Sequence, residues 1–144
     1  MMMLQFTIPG TPVAKGRPRV TTVGGFARAY TPKKTRDYED MARLHAKVAM
    51  GSVAPSARPI EVLMELRMPI PVSWSKKKQV AAAAGTVRAT KKPDADNILK
   101  GVKDACNGVI WADDSQVVVL TVRKLYAAVP CVVVAVRELE GEAA

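Results

Sequence analysis

Four carboxylates hold the chemistry this sequence can offer: Asp94 and Asp96, one residue apart, and the adjacent pair Asp113-Asp114. An Asp-x-Asp spacing at the start of a helix can point two oxygens into one small volume. The second pair ends a loop from Trp111 and can join them if the strand that follows lies beside that helix. Mg²⁺ takes such hard oxygen ligands and is commonly held by one or two carboxylates plus substrate phosphates. Held this way it activates water, stabilises a leaving oxygen, or, as a pair of ions, does both. The same residues have plain structural uses: Asp94 or Asp96 as a helix N-cap with acids favoured in the first turn, and Asp113-Asp114 as a polar turn. Spacing alone leaves both uses open. Lys100 is four residues after Asp96, on the same helical face, with Asp104 one turn further on. It is either one rung of a solvated ion-pair ladder or a cation beside the phosphate that stabilises developing negative charge.

Other chemistries are excluded by what is missing. The single histidine, His45, falls within an expected helix, so multi-histidine zinc sites are unavailable and nothing around it suggests a Ser-His-Asp triad. No Gly-rich phosphate loop of the Walker or dinucleotide type occurs, so no nucleotide cofactor is expected. Cys106 and Cys131 sit in apolar company without metal-ligand spacing and read as reduced, buried thiols. No run approaches the ~18–20 apolar residues of a membrane span, and Met1 to Leu4 lacks the pattern of a signal peptide. A cytoplasmic protein with no membrane partner is expected.

The charge points to a polyanion. Twenty-two Lys and Arg against thirteen Asp and Glu leave a formal net of +9 over 144 residues, which suits phosphate neutralisation with counterion release. The first 36 residues hold Lys15, Arg17, Arg19, Arg28, Lys33, Lys34 and Arg36 and no acid; a second basic block runs through Lys76-Lys77-Lys78, Arg88, Lys91 and Lys92. Five of the thirteen acids fall between Asp94 and Asp114, the pattern expected where carboxylates hold metal beside a phosphate backbone.

The elements that must position these groups follow from periodicity. Leu4 to Ile8 alternates as a strand, stopped at Pro9-Gly10; a turn at Gly24-Gly25 precedes a short strand over Phe26 to Tyr30. Thr31-Pro32 is a candidate N-cap and first helical position, after which Tyr38, Met41, Ala42, Leu44, His45, Val48 and Ala49 recur at helical spacing up to Gly51. Ile60 to Met68 is the clearest strand. Ser73 or Ser75 can cap a short helix over Lys76–Ala84, stopped at Gly85. Asp94–Asn107 reads as a helix with Ile98, Leu99, Val102, Ala105 and Cys106 on one face. Val117–Leu125 and Val129–Val136 read as an antiparallel hairpin buried on both faces, and Glu138 to Ala144 as a frayed polar tail. The order β-(β)-α-β-α-α-β-β predicts a single α+β domain over residues 1–144, with a mixed sheet, two main helices and one short helix.

The string Lys92-Pro93-Asp94-Ala95-Asp96-Asn97-Ile98-Leu99-Lys100, then Asp104-Ala105, Asn107-Gly108 and Asp113-Asp114-Ser115-Gln116-Val117, resembles the RusA family of Holliday junction resolvases. That family's pattern is K-P-D-x-D-N-hydrophobic-x-K, D-A-x-N-G and D-D-x-Q-hydrophobic. Gly10 to Arg19 also resembles the G-x-P-x-x-K-x-R-P-R block of phage and prophage members, a block that shorter members lack. The resemblance spans roughly Leu4 to Val136. It implies a homodimeric Mg²⁺-dependent endonuclease that binds branched DNA, above all four-way junctions, and makes paired symmetric nicks. By that resemblance Asp94, Asp96 and Asp114 are the essential carboxylates, Lys100 the catalytic lysine and Asp113 a supporting acid at the metal. Lys15, Arg17, Arg19, Arg28, Lys91 and Lys92 are the expected DNA contacts, and a bacterial, phage- or prophage-encoded origin is expected by analogy. A C₂ dimer suits a substrate that is itself nearly two-fold symmetric and needs two related cuts. Two alternatives stay open: a nuclease preferring flaps or forks, and a non-catalytic basic DNA-binding protein whose acids are caps.

Overall fold

The computed structural model describes residues 2–16, 19–30 and 32–144, with side chains left out for part of the segment 19–30. The framework is one four-stranded mixed sheet. β1 (Met3–Pro9), β4 (Ile60–Pro69), β5 (Val117–Ala127) and β6 (Cys131–Glu138) lie in the order β1-β6-β4-β5. A separate two-stranded hairpin pairs β2 (Arg19–Val23) with β3 (Phe26–Tyr30). Gly24 and Gly25 take φ of 61° and 83°. Two consecutive left-handed positions are what the tight hairpin turn requires, which is why both are glycine.

β4 suits the centre of the sheet because its sequence alternates, with Leu63 the one apolar residue on the outward face. Ile60, Val62, Met64, Leu66 and Met68 are buried while Glu61, Leu63, Glu65 and Arg67 face away. α1 (Lys33–Met50) and α3 (Ala95–Cys106) pack against each other and against this sheet. α3 buries Ile98, Gly101, Val102, Ala105 and Cys106, close to the expected stripe. α1 instead buries Thr35, Tyr38, Ala42, Ala46 and Met50. Leu44 and Val48, which share its apolar periodicity, are exposed. Thr31, the expected N-cap of α1, lies outside the described residues; Pro32 occupies the capping position. α2 (Lys76–Ala83) begins at Ser75, whose hydroxyl accepts from the Lys78 amide.

The expected β5–β6 hairpin does not form. β4 lies between the two strands, parallel to β5 and antiparallel to β6. The three residues after β5 therefore cross two strand spacings, about 9.6 Å, which three extended residues can reach. Two Val-rich runs in sequence read as partners, yet β4 has the cleaner apolar face and offers both edges to pairing. Nor is β5 buried on both faces. It is an edge strand with Val118, Val119 and Leu120 exposed, and Tyr126 is its one buried residue.

The chain end also departs from expectation. Glu138 is the last residue of β6, not the start of a frayed tail. Its carboxylate accepts from the Met2 amide (2.8 Å) and the Ser56 hydroxyl (3.0 Å), with the Arg58 guanidinium 3.5 Å away. The Leu139 amide still bonds to the Pro59 carbonyl. Cys106 and Cys131 are free and buried as expected, and burial pushes the Cys106 thiol up to about 12. No helix of the described residues is long and apolar enough to cross a membrane.

Candidate active site

α3 starts after Pro93, where the preceding residue is disfavoured from helix, and Asp94 takes the N-cap position with extended φ and ψ. Its carboxylate makes no capping hydrogen bond. The structural use of Asp94 is thus declined locally, and an exposed acid is left at the positive end of the helix. Asp96, in the first turn, and Lys100, one turn on, lie on the same face. Together with Leu99, Lys103, Asp104 and Asp114 they line a cleft of about 250 Å³.

Asp114 reaches that cleft from a different part of the chain. Residues 114–116 form a single 3₁₀ turn leading into β5. The Trp111 indole, fully buried, donates to Asp114 Oδ1 at 2.8 Å and so fixes the carboxylate's orientation. The turn itself is clamped. Asp113 caps it by accepting from the Ser115 amide and hydroxyl, while the Gln116 side chain closes a capping box by accepting from the Asp113 amide. The Gln116 amide group donates in turn to the carbonyls of Ser56 (2.8 Å) and Arg58 (2.9 Å), which ties the turn to the loop before β4. The hydrogen bonds from Ser115 hold the Asp113 carboxyl below its ordinary value.

The four acids are therefore not equivalent. Asp96 and Asp114 share a cleft with Lys100, and Asp113 is engaged as a cap. Asp94 lines a second cleft, of about 820 Å³, with Thr11, Gly16, Lys34, Lys92 and Asn97. Among the described residues, no three His, Cys, Asp or Glu side chains gather closely enough to form a metal cage by themselves. A pair of hard carboxylate donors beside an open cleft still matches the donor set of Mg²⁺, which completes its shell with water and phosphate oxygens.

A comparison with known proteins identifies the family. The family model described as Endodeoxyribonuclease RusA matches residues 9–137. The chain belongs to the RusA family. Its members are enzymes that cut within DNA, so the cleft of Asp96, Lys100 and Asp114 lies in an endodeoxyribonuclease. An uncharacterized protein, YqaN of Bacillus subtilis (strain 168), is 40% identical over 143 residues, covering 98% of this chain and 100% of that protein.

The cations expected to contact DNA in this RusA-family chain fall into three groups. Lys15 is inside the fold: its ammonium pairs with Glu39 of α1 (3.0 Å) and Asp104 of α3 (2.5 Å), and its amide donates to the Asn97 carbonyl (2.9 Å). Burial works to lower the Lys15 pKa, but the bonds and charges of Asp104 and Glu39 outweigh it and leave it raised. Arg17 lies outside the described residues, and Arg19 and Arg28 are placed only as backbone positions in the β2–β3 hairpin. Lys91 and Lys92 are exposed on the loop that leads into Asp94.

Sequence reasoning passed over three supporting residues. Lys124 of β5 donates to the carbonyls of Lys91 (2.7 Å) and Pro93 (2.8 Å), pinning the loop that delivers Asp94. Trp111 orients Asp114. Gln116 locks the turn, and its place in the D-D-x-Q pattern was the one available signal for any of the three. Lys124 and Trp111 had none, because their partners are set by strand order and by loop packing.

Proposed function

We propose that this chain is a Mg²⁺-dependent, structure-selective endonuclease that resolves four-way DNA junctions by paired symmetric nicks. The observation that carries the reading is the convergence of Asp96, Lys100 and Asp114, from two separate elements, on one cleft of a RusA-family chain. Asp96 and Asp114 would hold the metal, with Asp94 next to them at the helix N-terminus. When bound, the ion supplies an activated water and neutralises charge on the phosphate. Lys100 places a cation on the same wall, where it stabilises negative charge developing on the phosphodiester oxygens. Trp111 and Lys124 act by position: one sets the Asp114 carboxylate, the other the Asp94 loop. Asp113 supports the site through the turn it caps.

Lys91, Lys92 and Lys34 border the Asp94 cleft or its rim and supply phosphate contacts, with the arginines of the β2–β3 hairpin as further candidates. A homodimer is part of the same reading. The sheet face turned away from the helices is open and partly apolar, with Leu63, Val119 and Met3 exposed, which supports self-association there. Action on DNA in a bacterial cytoplasm, in recombination, repair or phage DNA processing, is part of the same reading, supported by the family match.

The test is cleavage of a labelled four-way junction and a linear duplex of the same arm sequence, with Mg²⁺ and with EDTA, beside Asp94→Asn. Paired nicks confined to the junction and lost with either EDTA or the substitution are expected, with junction binding by Asp94→Asn intact or tighter. Junction binding without any cutting by the parent would turn the reading to a basic DNA-binding protein; preferential cutting of flaps or forks would move it to another branched substrate.

A further inference from the structure

Between Pro69 and Pro93 the chain carries six cations (Lys76, Lys77, Lys78, Arg88, Lys91 and Lys92) and no acid. α2 lies within this stretch and buries only Ala82 of its eight residues. It gains little from packing, and three lysines in its first turn oppose the helix dipole. An element so arranged is not explained by its own stability.

Trp74, just before α2, organises the lysines. The Lys78 ammonium stands 4.0 Å from the indole centroid and the Lys91 ammonium 5.9 Å. The indole is backed edge-on by the buried Tyr126, with centroids 5.3 Å apart and planes at 74°. A cation–π contact fixes where an ammonium sits without cancelling its charge, whereas a carboxylate partner does both. Among the described residues no carboxylate lies within ion-pair distance of Lys78 or Lys91. Two positive charges are therefore held near one ring with no carboxylate to neutralise them.

This cluster is continuous with the cleft lined by Asp94. A cleft of about 270 Å³ runs past Tyr126 and Lys91 and shares Thr11, Lys92 and Pro93 with the cleft that contains Asp94. Lys78, Lys91 and Lys92 thus lead from Trp74 to the cleft lined by Asp94. A linear polyanion fits such a path; a compact anion would need convergent donors on all sides.

We propose that Trp74, Lys78 and Lys91 form a clamp for the sugar–phosphate backbone of a duplex DNA arm leading out of the Asp94 cleft. The clamp rests on the DNA-cleaving reading above and deepens it, by adding Trp74 and Lys78 and by assigning them one arm of the substrate. Trp74 is a positioning residue that acts through the two ammonium groups.

The experiment is equilibrium binding of the full chain to a labelled four-way junction in EDTA, at salt from about 50 to about 300 mM, where each lost phosphate contact lowers the log–log slope by about 0.9. Lys78→Gln/Lys91→Gln is expected to lower that slope by about 1–2, and Lys47→Gln, an exposed charge at the far end of α1, by less than about 0.5. Trp74→Leu keeps both charges, so it is expected to weaken binding roughly threefold to tenfold with the slope retained. A lysine double variant with the parent's affinity and slope, or a loss no larger than that of Lys47→Gln, overturns the clamp, whatever Trp74→Leu does to folding. A parent that binds no DNA overturns the broader reading along with it, so the two failures are told apart by the parent alone.

Discussion

Two basic segments of this chain look alike in sequence and differ in what their charge is free to do. In the first, Lys15 is consumed internally: Glu39 and Asp104 take its ammonium, and the N-terminal segment is thereby tied to α1 and α3. In the second, from Lys76 to Lys92, two lysines stand at an aromatic ring, and among the described residues none of the lysines has an acid within ion-pair distance. The acids divide in the same way. Asp104 and Asp113 are engaged with the protein's own groups, while the carboxylates of Asp94 and Asp96 are exposed and make no hydrogen bond among the described residues. Charges paired inside the protein tie its elements together; the unpaired ones in these segments are the candidates for contact with substrate. Net charge counts both kinds equally, so it overstates what is available for binding.

Breaking the unpaired set should cost activity and spare the fold. Asp96→Asn is expected to slow junction cutting by about 10²–10³-fold, the size of several kcal/mol of lost metal-assisted stabilisation, with binding in EDTA unchanged in a gel-shift titration. Lys100→Met should cost about 10²-fold in single-turnover cutting, with Lys100→Arg recovering part of it because a cation is retained. Equal loss of thermal stability in either variant would erase the distinction drawn here.

Breaking the paired set should do the reverse. Lys15→Met is expected to lower unfolding stability by about 1–2 kcal/mol in urea titrations, since two partly buried acids lose their partner. The salt dependence of DNA binding should stay that of the parent. The effect has a pH signature. The folded Lys15 pKa is raised above its ordinary 10.5, so its contribution is complete below that value and is lost as pH rises through the folded pKa. The stability gap between parent and Lys15→Met should therefore close in strong alkali. Asp113→Asn should have the smallest effect. A loosened 3₁₀ turn, seen as faster amide exchange at Ser115, is expected with less than a tenfold change in cutting.

Where a signal was local, the sequence read well. The alternation of Ile60 to Met68 foretold the central strand, the Ile98/Val102/Ala105 stripe foretold the buried face of α3, and Ser75 caps α2 as its position suggests. The spacing of Asp96 and Lys100 put both on one helical face, and the Asp113-to-Gln116 pattern carried the acid that joins them. The failures were all non-local. Val117–Leu125 and Val129–Val136 have the composition of partners, but pairing is a competition among strands, and no property of those two runs reveals that β4 will take the place between them. Leu44 and Val48 are apolar at helical spacing and yet exposed, because α1 is covered on one narrow side only. Glu138 looked like tail until the start of the chain and Ser56 came to its carboxylate.

By itself the sequence determined most of the elements, the family motif and the candidate reactive groups, because helix and strand periodicities and short-range spacing are properties of neighbouring residues. Tertiary structure alone decided which charges remain available. Whether a lysine meets two carboxylates, as Lys15 does, or the face of an indole, as Lys78 does, depends on residues far along the chain. The field at a phosphate is set by the charges left unpaired after folding.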